Sequence, residues 1–222
     1  MRLTAFASLI VLLPSALAAQ SGAAANAVDQ TIRRAQAAWA DVRTLRATFE
    51  QSITNPITGS AMLARGELQQ QKPNMLAINF SDPAGDAIVA DGKHVWIYIP
   101  SATPGQVVKM TNAQAGAPNT DLIGQFLDTP RDAYDATDAG VDTVSGRAAR
   151  VVILTAKPGQ QLPFIRAKVW VDAKDGLIRR FESTDPSGIS RSVRLLALKP
   201  NAAVEKSAFV FKVPKGARVV TP

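Results

Sequence analysis

The sequence contains no cysteine and only one histidine, His94, among 222 residues. Without cysteine there is no disulfide and no lipid attachment to a cysteine, so the fold must be stabilised by packing. A zinc site would need cysteines or further histidines, and a Ser-His-Asp arrangement would have to recruit His94 without a nucleophile-elbow motif. These absences argue against an exported hydrolase. His94 lies beside an Asp91-Gly92 turn, where we expect a structural role.

The chain also lacks a long hydrophobic run. Its longest apolar stretch, from Leu3 to Leu13, follows Arg2 and ends at Pro14, well short of the roughly 20 residues of a membrane-spanning helix. The small residues at Ala16-Leu17-Ala18 then resemble a cleavage site. We therefore predict a signal peptide over residues 1–18, followed by one domain over residues 19–222 in the periplasm.

Acidic residues are outnumbered, with 18 Asp and Glu against 25 Lys and Arg and a formal charge of +7. Such a charge favours acidic partners: nucleic acid, an anionic membrane surface or an acidic protein face. Export and the scattered placement of the basic residues argue against nucleic acid. We expect a monomer without metal or cofactor.

Apolar residues at spacings of three and four predict a helix from about Val28 to Leu45, with Asn26 as its N-cap. A second helical patch covers Asp121–Leu127. Elsewhere the period is two, with turn signals between the apolar stretches. Strands are predicted at Ala47–Thr54, Ala61–Gln71, Met75–Phe80, Ala87–Asp91, His94–Ile99, Val107–Met110, Arg150–Ala156, Ile165–Asp172, Leu177–Thr184, Ile189–Leu198 and Phe209–Val213.

Strands joined this closely should be antiparallel neighbours. Their alternation indicates one wet face and one dry face, and the few helices are the obvious cover for the dry face. The predicted fold is mainly β with an α lid: an incomplete antiparallel β-barrel, or strongly curved sheet, covered by helices.

Several short motifs follow one another along nearly the whole chain after the signal peptide. They are Phe49-Glu50-Gln51, Arg65-Gly66-Glu67-Leu68, Lys72-Pro73-Asn74, the run from Asp91 to Pro100, the run from Val171 to Gly176, and the run from Ala208 to Pro214. In order and spacing they resemble the LolA family of outer-membrane lipoprotein carrier proteins. The related outer-membrane acceptor is itself a lipoprotein and needs a cysteine, so the resemblance points to the mobile carrier.

The resemblance implies a protein that takes acylated lipoproteins from an inner-membrane releasing transporter and passes them to an outer-membrane acceptor. By position, it implies a set of residues that line an apolar cavity for acyl chains and a set that forms part of the lid. The cavity residues are Phe49, Leu76, Ile78, Phe80 and Ile88. The lid residues are Leu122, Ile123 and Phe126. On pattern alone, all of these would be ordinary core residues.

Lys72 stands where the best-known members of the family have an arginine that holds the lid through hydrogen bonds to helix carbonyls. We call this residue the lid latch. Lysine offers a point charge in place of a planar five-donor fork, which implies a weaker latch here. Without the resemblance, Lys72 would be read as a solvated lysine at the end of a strand.

Two alternatives remain open from the sequence. A periplasmic lipid- or glycolipid-binding protein, or a lipid sensor, could use the same fold without handing over lipoproteins. Asp172 and Asp175 could suggest calcium, but Asp172-Ala173-Lys174-Asp175-Gly176 is better explained as a hairpin turn in which Lys174 repels a cation.

Overall fold

The computed structural model describes residues 16–115 and 120–222, with side chains from residue 26 onward. The helices are α1 (Ala16–Ala40), α2 (Asn112–Ala115) and α3 (Gly124–Leu127), and two 3-10 turns cover Arg131–Ala133 and Lys206–Phe209. The first strands are β1 (Thr44–Thr54), β2 (Ala61–Gln71), β3 (Met75–Asp82), β4 (Ala84–Asp91), β5 (His94–Tyr98) and β6 (Gln106–Thr111). The later strands are β7 (Tyr134–Val144), β8 (Arg147–Ala156), β9 (Arg166–Asp172), β10 (Ile178–Thr184), β11 (Ser190–Pro200) and β12 (Arg218–Val220).

All the strands belong to one 12-stranded sheet with the order β12-β6-β5-β4-β3-β2-β1-β11-β10-β9-β8-β7. Neighbouring strands are antiparallel except β12 and β6, which run parallel. The sheet is open because β12 and β7 form its two edges. This is the predicted incomplete barrel. Most of the predicted signal peptide lies outside the described residues, and within the described ranges no helix is long and apolar enough to cross a membrane.

Helix α1 supplies the main cover of the concave face. Its buried stripe contains Val28, Ile32, Ala35 and Trp39, which join the inner faces of the strands in one hydrophobic cluster. The predicted end at Leu45 was wrong, because the helix ends at Ala40 and Leu45 is a buried residue of β1. The apolar spacing continues through the turn because both segments bury side chains in the same core. Asn26 was also wrong as an N-cap, since it lies inside the helix.

At the sheet edges, one strand was not predicted and one predicted strand was wrong. Strand β7 was missed because nearly all of its residues between Tyr134 and Val144 are exposed, so its sequence has no apolar alternation. The predicted strand Phe209–Val213 forms no ladder; β12 comes later, at Arg218–Val220.

The segment around Phe209 instead packs on the outer face of the sheet. Phe209 is buried, and Phe211 stacks on Trp96 with ring centroids 5.7 Å apart. Tyr98 also contacts Phe211, at 6.2 Å. These aromatic side chains therefore support the first half of the sheet from outside, away from the concave face.

Candidate functional site

An apolar cavity of about 200 Å³ lies on the concave side of the sheet. Strands from both halves of the sheet contribute to its wall, and Leu122 adds a contact from the segment before α3. The apolar lining residues are Phe49, Ile53, Met62, Leu63, Ala64, Leu68, Ile78, Phe80, Pro83, Ile88, Ile99, Leu122 and Val193. Such a lining can hold hydrocarbon but offers few polar partners.

The register of three strands explains part of this wall. Phe49 of β1 lies opposite Gly66 of β2, which lies opposite Phe80 of β3. Because Gly66 has no side chain, the two phenylalanine rings meet edge to face, 5.5 Å apart. A Cβ on Gly66 would lie only 2.2 Å from the carbonyl oxygen of Asn79. The glycine of the Arg-Gly-Glu-Leu motif is therefore needed both for strand approach and for the aromatic pair.

The structure brings most of the predicted cavity residues together. Phe49, Ile78, Phe80 and Ile88 line the cavity. Leu76 is fully buried in the adjoining core, on the same face of β3, but it is not among the residues that line the cavity.

The predicted lid residues are all buried but contact different regions. Leu122 reaches the cavity, whereas Ile123 and Phe126 lie in the hydrophobic core. The Phe126 ring packs 4.9 Å from that of Phe181 in β10 and 5.7 Å from that of Phe164. The α3 segment is thus seated by aromatic packing on the second half of the sheet.

Hydrogen bonds connect α1 to its surroundings. The Gln36 side chain donates to the carbonyl oxygen of Leu127 at 2.9 Å, which joins α1 to α3. The Arg34 guanidinium donates to the carbonyl oxygen of Lys174 at 2.8 Å, in the turn between β9 and β10. These contacts hold the helices as a cover over the concave face.

Lys72, which follows β2, lies beneath the end of α1. Its Nζ donates to the carbonyl oxygen of Trp39 at 2.5 Å and lies 4.3 Å from the centroid of the Trp39 ring. Burial lowers the pKa of the Lys72 ammonium, Asp121 and Asp128 raise it, and the balance lies below the usual value. The ammonium therefore forms a hydrogen bond with a carbonyl of α1. It also interacts electrostatically with two carboxylates of the α3 segment.

Sequence reasoning missed those two carboxylates. Asp121 accepts hydrogen bonds from the backbone N–H groups of Ile123 and Gly124 at 3.1 and 2.8 Å. A Cβ on Gly124 would lie 2.3 Å from Asp121 Oδ2 and 2.7 Å from Asp128 Oδ2, so both carboxylates crowd this glycine. Burial and then Asp121 raise the pKa of Asp128, while Lys72 lowers it. Asp121 and Asp128 lie far from Lys72 in sequence, so no local pattern could have linked them.

The polar residues of the cavity were also missed. Asp86 is buried and accepts two hydrogen bonds from Ser101, one from its backbone N–H at 3.1 Å and one from its hydroxyl at 2.5 Å. Gln51 and Arg191 line the cavity as well. Their position on the inner face follows from strand alternation, but a basic residue there has no sequence signal that separates it from the exposed arginines.

The rim of the cavity is apolar and exposed. Met62 and Leu63 are 63% and 72% exposed and belong to the lining. Ile57, at the tip of the β1–β2 hairpin, is 92% exposed. A Cβ on Gly188 would lie 3.3 Å from Pro56, so the tip of the β10–β11 hairpin, which carries the exposed Ile189, adjoins it. We call Ile57, Met62, Leu63 and Ile189 the apolar rim.

Asp172 and Asp175, the two acids considered for calcium, form ion pairs with arginines. Asp172 is buried and is paired with Arg147 and with Arg179, at 3.2 Å for the latter. Asp175 contacts the same two arginines. Burial raises the pKa of Asp172, but hydrogen bonds from Arg147 and from the backbone of Lys174 and Asp175 outweigh it and hold that pKa far below its usual value. The two acids are thus a structural ion cluster of the predicted turn.

His94 lies outside the cavity lining. Its backbone N–H donates to Asp91 Oδ1 at 2.8 Å, and its ring lies 6.2 Å from that of Trp96. The Trp96 indole donates to the same carboxylate, at 2.9 Å. The His94 Nδ1 atom lies 3.9 Å from Asp91 Oδ2, so all of these contacts belong to the Asp91-Gly92 turn.

If the carrier function implied by the sequence resemblance holds, we expect His94→Gln to leave lipoprotein transfer within about twofold of the wild type, because binding and release need no proton transfer. The assay is release of an acylated lipoprotein from spheroplasts, with the melting temperature measured in parallel. Loss of transfer at an unchanged melting temperature would contradict this and would indicate a chemical role for the imidazole.

Residues 40–212 match the family model described as outer membrane lipoprotein carrier protein LolA. An outer-membrane lipoprotein carrier protein of Methylobacillus flagellatus is 28% identical over 176 residues, covering 79% of this chain and 82% of that protein. One of Chromobacterium violaceum is 27% identical over 208 residues, covering 93% and 95%.

Solved structures of more distant proteins have a similar fold. An uncharacterized conserved protein of Thermus thermophilus aligns with a TM-score of 0.54 at 15% identity, over 88% of this chain and 99% of that one. The Mycobacterium tuberculosis lipoprotein LppX aligns with a TM-score of 0.50 at 11% identity, over 81% and 99%. At these identities the likeness concerns the fold alone.

Proposed function

The chain belongs to the LolA family of outer-membrane lipoprotein carrier proteins, and we propose that it carries lipoproteins through the periplasm with their acyl chains in the concave cavity. It takes them from an inner-membrane releasing transporter and delivers them to an outer-membrane acceptor. The observation that carries this proposal is the apolar cavity beneath a helical cover. The role needs binding and release, and no covalent step.

The free-energy need for such a carrier is large. Each methylene group exposed to water costs about 0.8 kcal/mol, so two or three long acyl chains cost tens of kcal/mol without a host. A wall made of Phe49, Ile78, Phe80 and Ile88 removes this surface from water. Because the wall is apolar and irregular, it suits chains of differing length.

The size of the cavity implies that the cover moves. Its volume of about 200 Å³ is below the roughly 300–1,000 Å³ of sites that hold drug-sized ligands. Full acyl chains need more room, which displacement of α3 and the end of α1 would provide. Leu122, Ile123 and Phe126 then leave the core when cargo binds and return when it departs.

Return of these side chains to the core competes with the cargo for the same apolar surface. A carrier must release as well as bind, and a cover that reburies its own residues lowers the net affinity for lipid. Lys72 adds to the closed state by binding Trp39 of α1 and interacting with Asp121 and Asp128. We therefore propose Lys72 as the lid latch.

The apolar rim indicates that acyl chains enter and leave the cavity at the hairpin tips. Met62 and Leu63 line the cavity and are exposed, and Ile57 and Ile189 are exposed at the adjoining hairpin tips. Exposed apolar patches commonly mark interaction sites. We propose that the transporter and the acceptor meet the carrier at this rim, so that chains pass directly between apolar surfaces.

The test is release of a radiolabelled, acylated lipoprotein from spheroplasts into the medium by the purified protein. We expect a soluble one-to-one complex of carrier and lipoprotein, which then loses the lipoprotein to membranes that contain the acceptor. A non-acylated form of the same lipoprotein is the control and should not be bound. If acylated and non-acylated forms behave alike, the acyl chains are not what the protein recognises.

A further inference from the structure

Arg191 of β11 is a cation in the wall of the apolar cavity. It lies on the inner face of the sheet, where Ile53 of β1 and Ser183 of β10 are its neighbours across the strands. Within the described part of the chain, the Arg191 guanidinium makes no hydrogen bond and no ion pair, unlike that of Arg194 on the outer face, which binds Glu50. A guanidinium partly removed from water without a hydrogen-bonded anion is costly, because its lost hydration is not replaced.

Asp185 interacts with Arg191 electrostatically, but no hydrogen bond or ion pair joins the two side chains in the described part of the chain. Asp185 Oδ1 accepts hydrogen bonds from the backbone of Ser187 and Ile189 and from the Ser187 hydroxyl. Burial lowers the pKa of Arg191 and Asp185 raises it, but an arginine side chain stays charged in either case. The donors of this guanidinium therefore remain available to a ligand.

Gln51 adds a second donor beside Arg191. It lines the same cavity from β1, opposite Val193, so it lies diagonally across from Arg191 on the inner face. Diagonal neighbours on paired strands are about 7–8 Å apart, within the combined reach of two long side chains around one small polar group. The Gln51 amide likewise has no hydrogen bond within the described residues.

We infer that Arg191 and Gln51 form a binding site for the phosphate of an anionic glycerophospholipid whose acyl chains occupy the cavity. The inference rests on the proposed use of the cavity for acyl chains and adds a second cargo class to it. A guanidinium binds phosphate through two parallel hydrogen bonds, which an uncharged ester cannot match. The phosphate supplies a directly bound counter-charge, which no side chain in the described part of the chain gives Arg191.

The experiment is calorimetric titration of the full mature chain with three probes. They are dihexanoyl phosphatidic acid, dihexanoylglycerol with the same chains and no phosphate, and inorganic phosphate alone. We expect the wild type to bind the phosphatidic acid about 10- to 100-fold more tightly than the diglyceride, and inorganic phosphate only weakly.

Three variants assign the difference to Arg191. Arg191→Gln should remove the 10- to 100-fold preference for phosphatidic acid over diglyceride, whereas Arg191→Lys should keep part of it. Arg46→Gln is the matched control, because Arg46 is exposed on the outer face of β1 and its loss changes the net charge equally. That variant should behave as the wild type with every probe.

The outcomes separate the two proposals. If the wild type binds diglyceride and phosphatidic acid equally, or if Arg191→Gln keeps the preference, the headgroup site is wrong while the acyl cavity stands. If inorganic phosphate alone binds as tightly as phosphatidic acid, Arg191 serves a free phosphate and the lipid inference is wrong. If neither lipid binds, both the inference and the acyl-chain cavity are wrong.

Discussion

Ile78→Glu should abolish lipoprotein carriage, with release from spheroplasts at least about 100-fold below the wild type. Ile78 lines the cavity and is only 8% exposed, so acyl chains must pack against its side chain. A carboxylate there has to lose its hydration without a partner, which costs several kcal/mol, and each 1.4 kcal/mol is about tenfold in affinity.

A matched control shares the strand and the added charge. Asn79→Asp places one negative charge on the exposed neighbour of Ile78, on the outer face of β3. Its cost is limited to about 1 kcal/mol of repulsion across the strands with the exposed Glu67. Carriage by this variant should therefore be close to that of the wild type.

Loss of folding would imitate loss of carriage, so circular dichroism and the melting temperature accompany each variant. Ile88→Glu provides a second test, since Ile88 faces the cavity but is only half-buried and disturbs the core less. If either folded cavity variant releases lipoprotein as well as the wild type, the cavity does not hold the acyl chains.

Lys72→Leu should raise the ratio of open to closed lid about 10- to 100-fold. The charge-assisted hydrogen bond from Nζ to the Trp39 carbonyl is worth about 1.5–3 kcal/mol, and the variant loses it. It also leaves Asp121 and Asp128 without their nearby cation. A hydrophobic dye should bind more, and delivery to the acceptor should slow because closure no longer helps to expel the lipid.

Lys72→Arg should move dye binding in the opposite direction. The guanidinium fork can hold two acceptors at once, such as the Trp39 carbonyl and a carboxylate of the α3 segment, and should close the lid more firmly. The control is Lys109→Leu, because Lys109 also lies over a tryptophan ring, at 4.7 Å from that of Trp96. That pair lies on the outer face, so its loss should not change dye binding.

The two substitutions at Lys72 must have opposite effects for the latch to hold. If both leave dye binding and transfer unchanged, the lid is held by the packing of Leu122, Ile123 and Phe126 alone.

The strands next to the cavity were predictable because each buries one face. In β3, Leu76 and Ile78 alternate with the outward Asn79, and the predicted strand contains all three. Helix α1 was predictable from its apolar stripe, but its end was not. Val42 and Leu45 lie beyond the helix and are buried like Trp39 within it, so the apolar spacing continues past the helix end. Strand β7 had no such signal, since an exposed edge strand needs no apolar alternation.

The cavity could be predicted only in part. Apolar alternation identified the inner face, but it could not separate Ile78, which borders the cavity, from Leu76, which is packed solid. That difference depends on how far the helices approach each position. Electrostatic interactions between distant segments, such as those of Lys72 with Asp121 and Asp128, have no local sequence pattern at all.

Native mass spectrometry of the protein after mild purification from periplasm shows whether acylated lipoprotein is the cargo of this cavity. We predict ions of the carrier with an acylated lipoprotein bound, and their loss in Ile78→Glu but not in Asn79→Asp. A spectrum of the wild type without any acylated lipoprotein, whether the protein is empty or holds only free lipid, would contradict the proposed cargo.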